Sequence, residues 1–236
     1  MKNDETKLKF FYLIVMSLLL TNCGVQSKKE AEVSSRDKQL CDSLKIDISI
    51  VEELRKYSDA KLESFHYSLG RQINEDGSET EIDPIHLAGL VFDEKPERTD
   101  LLLDNLQSKL RLKGYTIFVL DENFGISGEL DVMAILKTTD KYEILSQIKT
   151  DGINYDIDND SLISLIKVFD AKYSLSLVGA SGDWCEFKIE KEPTDWLELA
   201  NETYAICPDI VDQGTGSVEA LAEEMKNTRR LYLWWD

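Results

Sequence analysis

Residues 98–120, RTDLLLDNLQSKLRLKGYTIFVL, decide the fold. Leu102, Leu106, Leu110 and Lys113 lie along one side of a helix, Gly114 ends it, and Tyr115 to Leu120 is an apolar run of strand length. Residues 160–178, DSLISLIKVFDAKYSLSLV, repeat that order, with a helix over 160–172 and a strand over 174–178. A second strand and a second helix follow each time, over 131–137 and 140–148 in the first case and over 184–190 and 194–204 in the second. The chain is therefore predicted as α+β: tandem α-β-β-α units with a mainly antiparallel sheet. A two-stranded sheet is not stable alone. The strands join into one sheet or pack as two, and helices are expected to cover one side.

Before the repeat, Ser49 and Glu52 read as a capping box opening a short helix, residues 62–69 alternate as a strand, residues 74–84 read as an acidic loop, and 87–92 as a strand. Pro96 suits the first turn of the next helix. After the repeat, Ser217 caps a last helix. A closing strand over 231–235 follows; it is apolar on both faces, which predicts a place inside the sheet.

The N-terminus carries Lys2, Lys7 and Lys9 before an apolar run over 10–20, of signal-peptide rather than membrane-spanning length. It ends in Leu20-Thr21-Asn22-Cys23-Gly24, which resembles a lipoprotein lipobox, and that resemblance implies lipidation at Cys23. Asn22 departs from the small residue usual there, and the uncleaved leader is the alternative. Either way the body is expected to be exported and tethered to the bacterial cell envelope, at the outer membrane if the organism has one. The expected organisation is a leader over 1–22, a flexible tether over 23–41, an N-terminal α/β segment over 42–95 and the repeat-built domain over 96–236.

Composition narrows the function. The formal charge is −18, with no basic stripe to offset it, so nucleic-acid binding is not expected; solubility is the favoured reading of the charge, and a cationic protein partner is the open alternative. Cys41, Cys185 and Cys207 remain once Cys23 is set aside; no C-x-x-C spacing is present, so neither a zinc site nor a disulfide framework is predicted. A single Cys185–Cys207 bridge is open to an exported chain, with buried thiols the favoured reading. No cofactor or metal is expected.

From about residue 87 to the end the sequence resembles the bacterial domain-of-unknown-function 4253 family. The resemblance rests on Asp151-Gly152-Ile153-Asn154-Tyr155-Asp156, on Asp183-Trp184 with Glu186, on Cys207-Pro208-Asp209, on Asp212-Gln213-Gly214 and on the terminal Leu233-Trp234-Trp235-Asp236. Ala205-Ile206 stands where an acidic residue and an aromatic look typical. The resemblance implies an α/β fold and no known reaction.

The catalytic candidates are Cys207 as a nucleophile with Asp209 and Asp212, but a thiolate needs a base or a positive neighbour, and the two histidines, His66 and His86, are far upstream. A buried cysteine at a helix end is the competing reading. The ligand-contact candidates are Asn154, Tyr155, Asp183, Glu186 and Gln213. Asp183 and Glu186 have opposite parity on a regular strand, which argues against a shared carboxylate site with Asp209 and Asp212. Asp156, Asp158 and Asp160 begin like a calcium loop, but Ser161 and Lys167 occupy the positions that require Gly and Glu, so helix capping is expected. Gly214-Thr215-Gly216-Ser217 reads as a turn and cap rather than an anion cradle. The leading expectation is a non-catalytic binding module. A Cys207-centred hydrolase or thiol-dependent enzyme is the alternative, and an immunity-type protein against a basic toxin is a third.

Overall fold

The computed structural model describes residues 32–68, 70–82, 84–123 and 128–235, leaving the expected leader, Cys23, Leu69 and Asp236 outside the described residues. The elements in order are α1 (Ser35–Leu44), α2 (Ile48–Arg55), β1 (Glu63–Ser64), β2 (Gly70–Ile73), β3 (Glu79–Ile82), β4 (Gly89–Glu94), α3 (Pro96–Arg111), β5 (Thr116–Asp121), β6 (Asp131–Leu136), α4 (Lys141–Ile148), α5 (Asn159–Tyr173), β7 (Leu175–Ala180), β8 (Trp184–Ile189), α6 (Trp196–Ile206), α7 (Val218–Thr228) and β9 (Arg230–Trp234). Two α-β-β-α units, α3-β5-β6-α4 and α5-β7-β8-α6, stand in tandem as the sequence predicts.

Local chemistry fixes these boundaries. Pro96 sits in the first turn of α3, where its missing N–H costs nothing, and Lys109 and Arg111 meet the negative end of the helix. Asp158 accepts from Ser161 N at 2.8 Å and caps α5, the role expected of it instead of calcium binding. Ser217 caps α7 through Ala220 N at 3.1 Å, directly after Gly216 turns the chain at φ 80°.

Seven strands form one sheet in the order β1-β4-β6-β5-β7-β8-β9, antiparallel everywhere except between β5 and β7. The two hairpins thus stand back to back with their first strands side by side and parallel. The rotation that carries one hairpin onto the other runs along the strands and turns the sheet over. The helix entering β5 and the helix entering β7 therefore land on opposite faces. The cores record this: Leu102, Leu103, Leu106 and Leu110 of α3 pack with α1 and α2 against one face, while α4, α5, α6 and α7 bury the other. The expectation of helices on one side is corrected accordingly. The relation fails at the second helix of each unit, because α4 and α6 share a face; α1 and α2 complete the layer that α3 begins.

Three other expectations change. Residues 35–41, read as tether, are α1, held by a buried Asp37–Arg55 ion pair at 2.8 Å. Asp47, not Ser49, caps α2 by accepting from Ser49 N. Much of the acidic loop is a two-stranded ribbon, β2 with β3, joined through Asn74 to Ser78. Asparagine, glycine and the Asp76 side chain make that turn, and the charged residues on the strands hid the alternation.

β9 is the last strand of the sheet rather than an interior one. Its two-sided apolarity has another origin. Leu231 and Leu233 enter the α4–α7 core, and Tyr232 and Trp234 pack against the opposite core.

Candidate functional site

The residues that carry the family resemblance converge at one end of β8 and β9. α6 ends at Ile206; Cys207 caps it with its N–H bonded to Thr203 O, and Pro208 follows with no N–H to continue the helix. The Cys207 side chain is fully buried. Its Sγ donates to Trp234 O at 2.9 Å and accepts from Trp234 N at 3.2 Å. Trp235 N, one residue on, faces β8 and bonds to Asp183 O at 3.0 Å. Backbone groups alternate along a strand, so those of Trp234 point away from the sheet, and the thiol closes that free edge. A strand edge left bare is a pairing hazard, and here a side chain satisfies it.

Trp235 locks the same joint. Its Nε1 donates to Ile206 O at 2.9 Å, and its ring lies against Gly152, where a Cβ would come within 2.9 Å of ring carbons. Asp151 N in turn bonds to Gly182 O at 2.8 Å. Buried Asp209 accepts from the Tyr155 hydroxyl at 2.5 Å and from Gln213 Nε2 at 2.9 Å, and Asp212 accepts from the Tyr204 hydroxyl at 3.1 Å. Tyr155 is 38% exposed, so it ties the linker between the units to the turn after α6 without being buried. Asn154 is exposed beside it.

The electrostatics of this joint disfavour nucleophilic chemistry. Burial pushes the Cys207 thiol up to about 11, against the opposing pull of the Trp234 N–H and with Asp209 adding to the rise. The bond to Asp209 raises Tyr155 to about 12. His66 pairs with Glu81 and faces His86 instead of the cysteine. Cys41, Cys185 and Cys207 are all buried free thiols.

The structure separates the remaining candidates. Asp183 is exposed at the start of β8, whereas Glu186 lies on the sheet face opposite the α4–α7 core, as parity requires. Asp209 and Asp212 are bound within the joint, so the four carboxylates do not form one site.

Glu186 has company that the sequence reading missed. Arg230 Nη1 lies 3.5 Å from Glu186 Oε2, and Arg230 Nη2 donates to Asp100 at 2.7 Å. Trp184 stacks on Tyr232 with centroids 5.8 Å apart, and its ring occupies the space over Gly179, where a Cβ would come within 2.4 Å of it. A bulge between Leu177 and Gly179 turns that glycine to this face. Burial raises Glu186 to about 7, with Arg230 opposing and Glu122 assisting; burial, with Asp131 and Asp100 assisting, raises Glu122 to about 7 as well. The signal in the sequence was parity: Trp184 with Glu186, and Arg230 with Tyr232, each point one way from their strand. Glu122, in the turn after β5, carried no such signal.

Among the described residues no group of three or more His, Cys, Asp or Glu is placed to hold a metal ion, and no helix is long and apolar enough to cross a membrane. No curated protein and no solved structure matches the chain. A family model does match, over residues 132–236, which takes in every quoted motif and leaves β4, α3 and β5 upstream. Over these residues the chain is similar to the family described as Domain of unknown function (DUF4253), the family that the sequence resembles.

Proposed function

We propose that the chain is a lipid-anchored protein of the bacterial cell envelope, and that its domain is a non-catalytic binding module for a cationic protein partner. The observation that carries this reading is the state of Cys207. Its thiol is bonded on both sides to Trp234, is raised to about 11, and has no histidine beside it, so the best nucleophile of the family motifs serves as a strand-edge seal. The charge of −18 supports a basic partner, because a surface of one sign steers and selects the opposite sign. An immunity protein is the case in which that partner is a basic toxin.

Limiting iodoacetamide, read by mass spectrometry across pH, tests the reading. Cys207 is expected to stay unmodified until the fold is melted, and a chain captured on beads is expected to release its partner as salt rises. Rapid alkylation of Cys207 in the folded chain at neutral pH would overturn the reading and restore the thiol enzyme. A second reading, an acid–base hydrolase, is favoured by Glu122 and Glu186, since carboxyls held at about 7 suit proton transfer at neutral pH. It requires a substrate whose turnover is lost in both Glu122→Gln and Glu186→Gln.

A further inference from the structure

His66 and His86 are the two histidines of the chain, twenty residues apart, and neither the family motifs nor the charge argument uses them. An antiparallel bridge pairs Tyr67 with Ile85, each N–H bonding to the other's carbonyl. The adjacent cross-strand position is the close, non-hydrogen-bonded kind, where facing side chains approach most nearly. His66 and His86 occupy it. Their rings lie 4.7 Å apart between centroids, with Nδ1 facing Nδ1 at 3.4 Å. Both side chains are exposed.

That separation is long for a hydrogen bond, whose N–H donors prefer about 2.7–3.2 Å. It fits a shared ion well: two nitrogens about 2.0–2.1 Å from a tetrahedral zinc stand about 3.3–3.4 Å from each other. The outer nitrogen adds a second, independent fit. His66 Nε2 lies 2.8 Å from Glu81 Oε1, and a carboxylate can only accept there, which favours the tautomer with the proton on Nε2 and a lone pair on Nδ1, the nitrogen that faces His86. A carboxylate behind a ligating imidazole is how proteins fix the tautomer and orientation of a metal-binding histidine. The ribbon around the pair is acidic, with Glu75, Asp76, Glu79 and Glu81 on residues 74–82.

We propose that His66 and His86 bind one divalent transition-metal ion of the zinc type through their Nδ1 atoms, with Glu81 as the orienting carboxylate. Two protein ligands leave the other positions to water, so the ion is accessible and exchangeable rather than a closed structural centre. Nitrogen donors select zinc, copper or nickel over magnesium and calcium, which prefer oxygen. The ion would clamp the root of the β2–β3 ribbon, because His66 lies before β2 and His86 after β3.

The test is calorimetric titration of the full chain in detergent with zinc chloride, beside His66→Ala, His86→Ala and Glu81→Gln. One ion per chain is expected, lost in either histidine variant and weakened about tenfold or more in Glu81→Gln. Both histidines are on the surface, so thermal melts without zinc should match the parent and separate loss of binding from loss of fold. In a second measurement, copper(II) bound to the parent should show two imidazole nitrogens by electron paramagnetic resonance, and zinc should slow amide exchange over residues 70–82. Saturable binding unchanged in either histidine variant, or no saturable binding by the parent, would overturn the proposal.

Discussion

The two faces of the β8–β9 pair differ in how completely their polar groups are satisfied. On one side Cys207, Asp209, Gln213, Tyr155 and Trp235 form a closed set in which thiol, carboxylate, amide, hydroxyl and indole all have partners. On the other, Glu186 and Glu122 are half-buried beside the Arg230 guanidinium, and that guanidinium is shared with Asp100. The first arrangement adds rigidity and specifies one packing. The second leaves two carboxyls whose partial desolvation favours the protonated form. Most residues that resemble a family motif are thus on the structural side, and on the electrostatically poised face the motifs contribute Glu186 with the aromatic rings of Trp184 and Trp234.

The largest expected effect lies on the closed side. Trp235 is 2% exposed, and Trp235→Ala should cost about 3–5 kcal/mol in chemical denaturation, as truncation of a buried tryptophan does. Trp234→Ala, at a half-buried position, should cost less than half as much. Equal losses would mean that the joint does not depend on the Gly152 contact.

On the open side the prediction concerns pH. Glu186 and Glu122 stand at about 7, above their ordinary carboxyl range, so the folded chain keeps protons that the unfolded chain has already released. Stability from these groups is fully present below about pH 4.5 and is lost as pH rises toward 7. A tenfold difference in proton affinity between the folded and unfolded chain corresponds to about 1.4 kcal/mol, so the loss between about pH 5 and 7.5 should exceed about 1 kcal/mol. Glu186→Gln should flatten that slope. A slope unchanged in this variant would show that the carboxyl is solvated. The lowered value of Asp37, despite its desolvation, comes from Arg55 and Ser34 and acts in the opposite sense, with stability lost as pH falls through the carboxyl range.

Between the faces sits Gly179. Its Cβ would meet the Trp184 ring at 2.4 Å and the Val119 carbonyl at 3.0 Å, so Gly179→Ala should cost about 1–3 kcal/mol by overpacking and weaken the Trp184–Tyr232 stack. Near-ultraviolet circular dichroism reads the second effect. A variant with parent stability and parent spectrum would place the indole elsewhere.

How much of this was legible follows from the range of each interaction. The tandem units, their caps and the closing strand were visible because helix periodicity, Ser217, Asp158 and Pro96 act within a few residues. The back-to-back hairpins were not, since parallel pairing of Val119 with Gly179 depends on contacts sixty residues apart. Parity separated Asp183 from Glu186 correctly, yet it could not bring Glu122 to Glu186 or His66 to His86, because register between distant strands is set by tertiary packing. Cys207 was read as a helix-end cysteine; its bonds to Trp234 needed the position of β9.

The smallest effect separates a seal from a nucleophile. Cys207→Ala leaves the Trp234 N–H and carbonyl without their partner and should cost about 1–3 kcal/mol, the penalty for unsatisfied backbone groups. Cys207→Ser keeps a donor and an acceptor at the same place and should recover about 1 kcal/mol of that loss. A nucleophile would treat the two variants alike, since neither carries a thiolate. Serine better than alanine in stability, with partner capture unchanged in both, is the result that assigns the thiol to the strand edge. Serine no better than alanine would mean that Cys207 contributes packing alone and that the β9 edge is closed by other groups.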